Sequence, residues 1–473
     1  MKVFSLNFLL LFAIKLHQVE AGNCIRGVSQ DTGGITQKIL YLADSKDYSR
    51  LQLAYFVIAQ HVDHDDYSNQ IHLNVGVEKL YVQVHFEPQQ GNQENINLWE
   101  NILISSKHPD FNYLVQYQAV YFYQALIFEP ANRPIYRSLR RQNFDLGIAD
   151  IDQISSGFAV FHNLGITNTI ATSATPASSP FYHFLGLAMP VEVPELYTAQ
   201  PGDGLANSEI RNEGSRRQNE NIREIKHLIT TYQQIFGNAY SNQNIPPLWQ
   251  IIANVRYLLV NHPQNAAYPR PINDKIRFIG GVAIDTHRFL DFYSKVMTDH
   301  VIEPVWDVED DEYSFLNNSE CFVLVNFGPT STFHGINQTQ LESIFNAFRE
   351  HQNCNFIFRA DSTIELYANH YLQVPNNVHL FYDNIDIKGI LAQRNTKLAI
   401  INCEQDSLNE ALYAGVPVIC IPFMGEQRYN ASVVENLGVG VWVPPPNLEN
   451  QFQPAVNALL NMACVFILFI SIL

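Results

Sequence analysis

Between Cys321 and Val443, short runs of consecutive apolar residues alternate with stretches of helical period, and no other feature limits the fold of this chain so tightly. Cys321–Phe327 (CFVLVNF) reads as a buried strand. Thr339–Glu350 reads as a helix, because Leu341, Ile344, Phe345 and Phe348 fall on one face. Asn355–Arg359 and Val378–Phe381 read as further strands, Ile387–Gln393 as a helix, and Leu398–Ile401 as a strand. Ser407–Ala414 follows as a helix closed by Gly415, and Val416–Ile421 as the next strand. Strands without polar alternation are buried on both faces, as in a parallel sheet covered by helices on each side. The alternation therefore predicts a doubly wound α/β domain.

A length of 473 residues exceeds one ordinary hydrophobic core, so a second domain is expected. The first half shows the same grammar less cleanly. Phe144–Ala149 reads as a strand ending in Asp150, Gln153–Leu164 as a helix, Thr169–Thr172 as a strand, and Gly33-Gly34 before Ile35–Asp44 as a strand-to-helix turn. The segment Tyr197–Asn219, rich in Gly, Asn, Ser, Glu and Arg, reads as a loop. The acidic run Asp307–Glu312 reads as a solvated surface segment. The expected organisation is a first domain over residues 22–260, a passage over 261–310, and a second, truncated domain over 311–460. Residues 1–21 and an apolar tail at 461–473 flank it.

Lys2, the apolar stretch Val3–Ile14 and the small-residue site Val19-Glu20-Ala21 have the form of a secretory signal. That places the chain in the secretory pathway, in the lumen of the endoplasmic reticulum. Ala463–Leu473 is apolar but about half of the ~20 residues that a spanning helix needs. It reads either as a truncated tail or as a partial membrane anchor. A formal net charge of −17, with no Lys/Arg cluster, argues against nucleic acid as a partner. Six cysteines without a C-x-x-C spacing point to neither a structural zinc site nor a disulfide-dense scaffold. Sequons lie at Asn317, Asn337 and Asn430. His61-Val62-Asp63-His64-Asp65-Asp66 reads as a solvated polar loop, with a divalent metal site as the alternative.

Several stretches resemble UDP-glycosyltransferases of the animal detoxification type. Val325-Asn326-Phe327-Gly328 resembles the strand and turn that open the family's donor-binding domain. Pro269-Arg270-Pro271 with Phe278-Ile279-Gly280-Gly281 is similar to its passage between domains. The signature region matches through Glu410-Ala411-Leu412, Ala414-Gly415-Val416-Pro417, Ile421-Pro422-Phe423, Glu426-Gln427 and Asn430. Phe144 to Asp150, Gly165-Ile166 and Ser173-Ala174-Thr175-Pro176 are similar to the acceptor domain. The resemblance implies two Rossmann-like domains facing across a cleft, the GT-B glycosyltransferase arrangement. It implies a UDP-sugar in the second domain and a small lipophilic acceptor in the first. It also implies inverting transfer of glucuronic acid or glucose, with no cofactor beyond the UDP-sugar and no metal. Membrane association and homo- or hetero-oligomers with family members are further expectations from the same source.

Within that resemblance, Asp150 matches the acid that orients a catalytic His, although a strand-end Asp also serves as a turn or cap residue. Glu410 matches the acid that holds the ribose hydroxyls; locally, Ser407-Leu408-Asn409-Glu410 also fits an S-x-x-E capping box. Gln427 matches the residue that reads sugar hydroxyls, Glu426 stands where Asp is usual, and Gly328, Ser407 and Asn430 complete the donor side. The sequon at Asn430 is expected to be unused, since a glycan there would block the cleft. Three departures stand out. Asn402-Cys403-Glu404 replaces the family's His-Gly-Gly, so a carboxylate sits where glycines let phosphate approach a helix end. The uracil-reading Trp and Gln fall near Asn384 and Ile387. No His stands in Gly33-Gly34-Ile35-Thr36-Gln37, where the general base belongs. These residues support two readings: a UDP-glycosyltransferase, or an impaired relative that binds hydrophobic ligands or partners an active homologue. A degraded gene product is a third.

Overall fold

The computed structural model describes residues 10–15, 38–43, 77–81, 125–152, 154–196, 199–208, 245–264, 268–280, 319–328, 336–360, 362–382, 385–393, 395–423 and 426–461, with a few short pieces besides. These form two sheets, one of seven strands and one of six. The first contains β1 (Leu10–Lys15), β2 (Lys38–Ala43), β3 (Val77–Tyr81), β4 (Leu146–Asp150), β5 (Thr169–Ser173), β6 (Tyr257–Val260) and β7 (Ile276–Phe278), in the order β3-β1-β2-β4-β5-β6-β7. From β2 to β7 all pairings are parallel; β1 is antiparallel to both β2 and β3. Helices α1 (Arg133–Arg140), α2 (Gly157–Asn163), α3 (Ser179–Phe184) and α4 (Leu248–Ala253) belong to this half. Its core joins Leu40, Leu42, Phe158, Phe161, Tyr182 and Leu258.

The second sheet is wholly parallel. Its strands are β8 (Phe322–Asn326), β9 (Asn355–Arg359), β10 (Val378–Phe381), β11 (Thr396–Ile401), β12 (Val418–Cys420) and β13 (Gly440–Trp442), in the order β10-β9-β8-β11-β12-β13. This is the Rossmann order, which reverses between β8 and β11 and opens a crevice at their carboxyl ends. Every residue of β8 is buried, as its unbroken apolar run requires of a central strand. Helices α5 (Gln338–Arg349), α6 (Ser362–His370), α7 (Ile387–Leu391), α8 (Gln405–Ala414), α9 (Gln427–Leu437) and α10 (Leu448–Leu460) cover the sheet. One face packs Leu324, Ile401, Leu408, Tyr429 and Val434; the other packs Val323, Phe345, Phe348, Phe358, Phe452 and Val456. Two Rossmann-like doubly wound domains are thus present, as expected.

Four differences have physical causes. Strand β7 lies inside the expected passage, where Ile276–Phe278 finds a parallel partner in β6. The segment Ile35–Asp44, expected as a helix after the Gly33-Gly34 turn, forms strand β2 at Lys38–Ala43 instead, because it finds a parallel partner in β4. Helix α8 starts at Gln405, so Ser407 is inside it and the capping box read at Ser407–Glu410 does not form. A capping box forms instead at α5, where Asn337 accepts from Gln340 N and the Gln340 side chain accepts from Asn337 N. Finally, the four cysteines among the described residues pair, as Cys321–Cys354 and Cys403–Cys420, because each pair flanks adjacent strands that the sequence does not show to be neighbours. The Gly33-Gly34 turn, the His61–Asp66 cluster, Asn317, the acidic run and Ala463–Leu473 lie outside the described residues. Among the described residues no helix is long and apolar enough to cross a membrane.

Candidate functional site

The reversal of strand order between β8 and β11 brings two short turns together, 75 residues apart in sequence. The Asn402 amide after β11 donates to the Phe327 carbonyl after β8 at 2.9 Å. Gly328 follows with φ +89°, a left-handed conformation that favours glycine. A Cβ there would lie 2.8 Å from Asn402 Nδ2 and 3.1 Å from both Glu404 carboxylate oxygens. The Glu404 carboxylate therefore packs directly on the glycine turn. Asn402 Oδ1 accepts from Glu404 N at 3.2 Å, which closes the turn onto the start of α8.

Cys403 holds φ +62°, one of two non-glycine residues with positive φ among the described residues, at a position where the resembled family has glycine. A non-glycine residue in this region costs about 1–3 kcal/mol, sustained by its surroundings. Here the disulfide to Cys420 on neighbouring β12 ties the turn, and Asn430 Nδ2 donates to the Cys403 carbonyl at 2.9 Å. Gln427 Oε1 accepts from Phe423 N at 2.8 Å, and its Nε2 lies 3.5 Å from Glu404 Oε1. Thus Asn402, Gln427 and Asn430, all expected on the donor side, are brought together and bonded to protein groups. Asn430 is wholly buried, which agrees with an unused sequon.

The α8 end nonetheless keeps the polarity of an anion site. Its N-cap residue, Glu404, makes no side-chain capping bond. The first-turn amides and the helix dipole face the crevice, with Asp406 in the same turn. One helical turn further on, Glu410 is buried beside α7. Burial pushes its carboxyl up to about 7, opposed by Lys388, whose Nζ lies 3.8 Å from Oε1, and aided by Asp386. Ser407 is buried at the third position of α8, and Glu426 is the half-exposed N-cap of α9. Ile387, near the expected uracil reader, packs against the core.

On the facing side, Asp150 ends β4 and is completely buried. Its neighbour Asp152 went unread in the sequence, yet accepts from Ser173 Oγ at 2.5 Å and Thr175 Oγ1 at 3.4 Å. Asn261, just past β6, donates to Asp406 Oδ1 at 3.0 Å, so the carboxyl ends of the two sheets meet at α8. His262 also went unnoticed. It is buried with Nδ1 2.7 Å from the Pro263 carbonyl, and burial pushes its pKa down to about 3, with Arg270 adding to the fall. A ring held neutral so strongly is a poor proton acceptor near neutral pH. Both residues follow an apolar strand, and that is the signal that could have found them. Among the described residues no three His, Cys, Asp or Glu side chains gather as a metal site.

Residues 372–463 match the family described as UDP-glucoronosyl and UDP-glucosyl transferase. That span carries β10 to α10 and so both helices of the crevice. An ecdysteroid UDP-glucosyltransferase of Spodoptera littoralis nuclear polyhedrosis virus is 25% identical over 197 residues, 41% of this chain and 35% of the relative. A Caenorhabditis elegans protein provisionally named UDP-glucuronosyltransferase ugt-46 is 25% identical over 311 residues, 65% of this chain and 54% of its own length. The chain thus spans about half or less of the curated relatives it matches. A solved UDP-glucose:anthocyanidin 3-O-glucosyltransferase in complex with UDP superposes over 85% of this chain and 82% of that one, at 14% identity and a TM-score of 0.47, too low to carry residue roles across. Around the crevice helices, then, the chain is similar to the UDP-glycosyltransferase family, through a matched segment of 372–463 and relatives of about 25% identity.

Proposed function

We propose that the second domain binds a UDP-sugar at the β8/β11 crevice and that the chain transfers its hexosyl group to a small lipophilic acceptor held by the first domain. One observation carries this reading. Gly328 after β8, Asn402 after β11, Glu410 on α8, and Gln427 and Asn430 on α9 come from four parts of the chain, and the fold gathers them around the open reversal point of the sheet. An α8 end with dipole and amides facing the crevice suits a diphosphate, and Glu410 one turn along suits ribose hydroxyls. Glucuronic acid or glucose, delivered with inversion in the lumen of the secretory pathway, is the finer form of the proposal.

A specific observation favours a second reading, an impaired relative. The Glu404 carboxylate already occupies the face of Gly328, with the Gln427 amide nearby. A diphosphate entering there meets like charge at the helix end. Calorimetry of UDP with the purified chain, beside Glu404→Gly, separates the two. Micromolar binding by the unaltered chain supports the transferase reading. No binding, with recovery in the variant, leaves the impaired relative as the reading that stands.

A further inference from the structure

We propose that Arg270 is a positioning residue that couples the acceptor-side end of the first sheet to the donor-side helix α9. Its guanidinium lies between two tyrosine rings, 5.4 Å from the centroid of Tyr182 on α3 and 4.8 Å from that of Tyr429 on α9. Nη1 donates to the carbonyls of Pro176 at 2.7 Å and Ala177 at 2.8 Å, and Nε donates to the Tyr429 hydroxyl at 3.1 Å. No carboxylate among the described residues pairs with it. One side chain thus joins the turn after β5 to the second domain through a rigid planar fork, which a lysine cannot reproduce.

Each end of this bridge leads to a candidate site residue. Ala177 holds φ +58°, a strained conformation whose carbonyl is fixed by the guanidinium. Two residues before it, Thr175 bonds Asp152, which also receives Ser173 at the end of β5. At the other end, Tyr429 stands between Gln427 and Asn430, whose amides reach Glu404 and Cys403 at the start of α8. Tyr268, two residues before Arg270, donates to the Ser432 carbonyl on α9 at 3.1 Å and stacks obliquely on Tyr429 at 5.7 Å. A shift of α9 on loading the crevice is therefore passed to the β5 turn through Arg270. Other contacts across the seam run differently: Glu435 with the amides of Gly202 and Gly204 lies further along α9, Arg428 donates to the Ala199 carbonyl, and Asn261 with Asp406 joins α8 rather than α9.

The ligand-dependent part rests on the donor reading above; the bridge itself does not. Hydrogen exchange read by mass spectrometry on the full chain tests both, with Arg270→Lys and the milder Tyr429→Phe, each with and without UDP. Without ligand, Arg270→Lys is expected to speed exchange several-fold both at Ala177–Ser179 and in the first turns of α9, leaving β9 and β10 unchanged. Tyr429→Phe, which keeps the ring and removes only the hydroxyl acceptor, is expected to do the same to a smaller degree, and decides the matter if Arg270→Lys does not fold. UDP is expected to slow exchange at both places in the unaltered chain and only at α9 in Arg270→Lys. A ligand-free effect confined to one side overturns the bridge. Persistence of UDP protection at Ala177–Ser179 in Arg270→Lys overturns the coupling. UDP without effect on the unaltered chain counts against the donor reading, and the ligand-free comparison then decides the bridge alone.

Discussion

The two ends of the second sheet are built with the same devices and serve opposite purposes. At the amino end, a disulfide joins Cys321 and Cys354 just before β8 and β9. Asn377, just before β10, donates one amide to the carbonyls of Phe348, His351 and Cys354 at 2.9, 3.0 and 3.2 Å. At the carboxyl end, a disulfide again joins two strand ends, Cys403 and Cys420, and asparagines again bond backbone carbonyls. What differs is charge and backbone conformation. The network at the amino end is built from neutral amides and carbonyls. The carboxyl end gathers Glu404, Asp406 and Glu410 with positive φ at Gly328 and Cys403. Shared stapling marks stability, whereas misplaced charge and strain mark the end where a ligand belongs.

The sharpest break of this comparison cuts the two disulfides separately. Cys321→Ser with Cys354→Ser opens a 33-residue loop and should lower unfolding free energy by about 3–4 kcal/mol, with UDP binding unchanged. Cys403→Ser with Cys420→Ser opens a 17-residue loop and should cost about 3 kcal/mol, but with altered UDP affinity as well. Denaturant melts and calorimetry read both, and equal ligand effects at the two ends would dissolve the distinction. Next in size is Gly328→Ala, expected to cost about 1–3 kcal/mol, since the new Cβ combines positive φ with contact to Asn402 and Glu404. Asn377→Ala should cost about 1–3 kcal/mol by removing three hydrogen bonds from one buried amide to backbone carbonyls, and should not change ligand binding.

The smallest effect concerns pH. Burial raises the Glu410 pKa from 4.5 to about 7, so the folded state favours its neutral form. Its contribution to stability is fully present below pH 4.5 and is lost as pH rises through 7. Glu410→Gln should therefore flatten the fall in melting temperature between pH 5 and 8. Glu435, pushed by burial to about 7 at the domain seam, supplies a second part of that slope that the variant leaves in place. An unchanged pH profile in Glu410→Gln would show that its carboxyl titrates normally and is not held neutral beside the crevice.

Much of the fold was legible because parallel strands buried on both faces leave continuous apolar runs. Phe322–Asn326 and Thr396–Ile401 sit within a few residues of where their patterns place them. Element ends were less legible. Helix α8 begins at Gln405 because the Asn402–Cys403 turn, anchored to Phe327 and Cys420, sets where the chain can start to coil. Of the candidate site, Gly328, Asn402, Gln427 and Asn430 were readable as positions, but their partners were not. Asp152, Asn261 and Arg270 escaped notice as site neighbours because each acts through residues distant in sequence.

By itself, then, the sequence determined the α/β class and two Rossmann-like units, since periodicity and residue type are local properties of the chain, and a resemblance marked the residues proposed for the donor side. Only the tertiary structure decided that Glu404 lies on Gly328, that Cys403 is tied to Cys420, and that Arg270 spans the two halves. Those facts depend on strand order and on which loop ends meet, and neither is encoded in any window short enough to read.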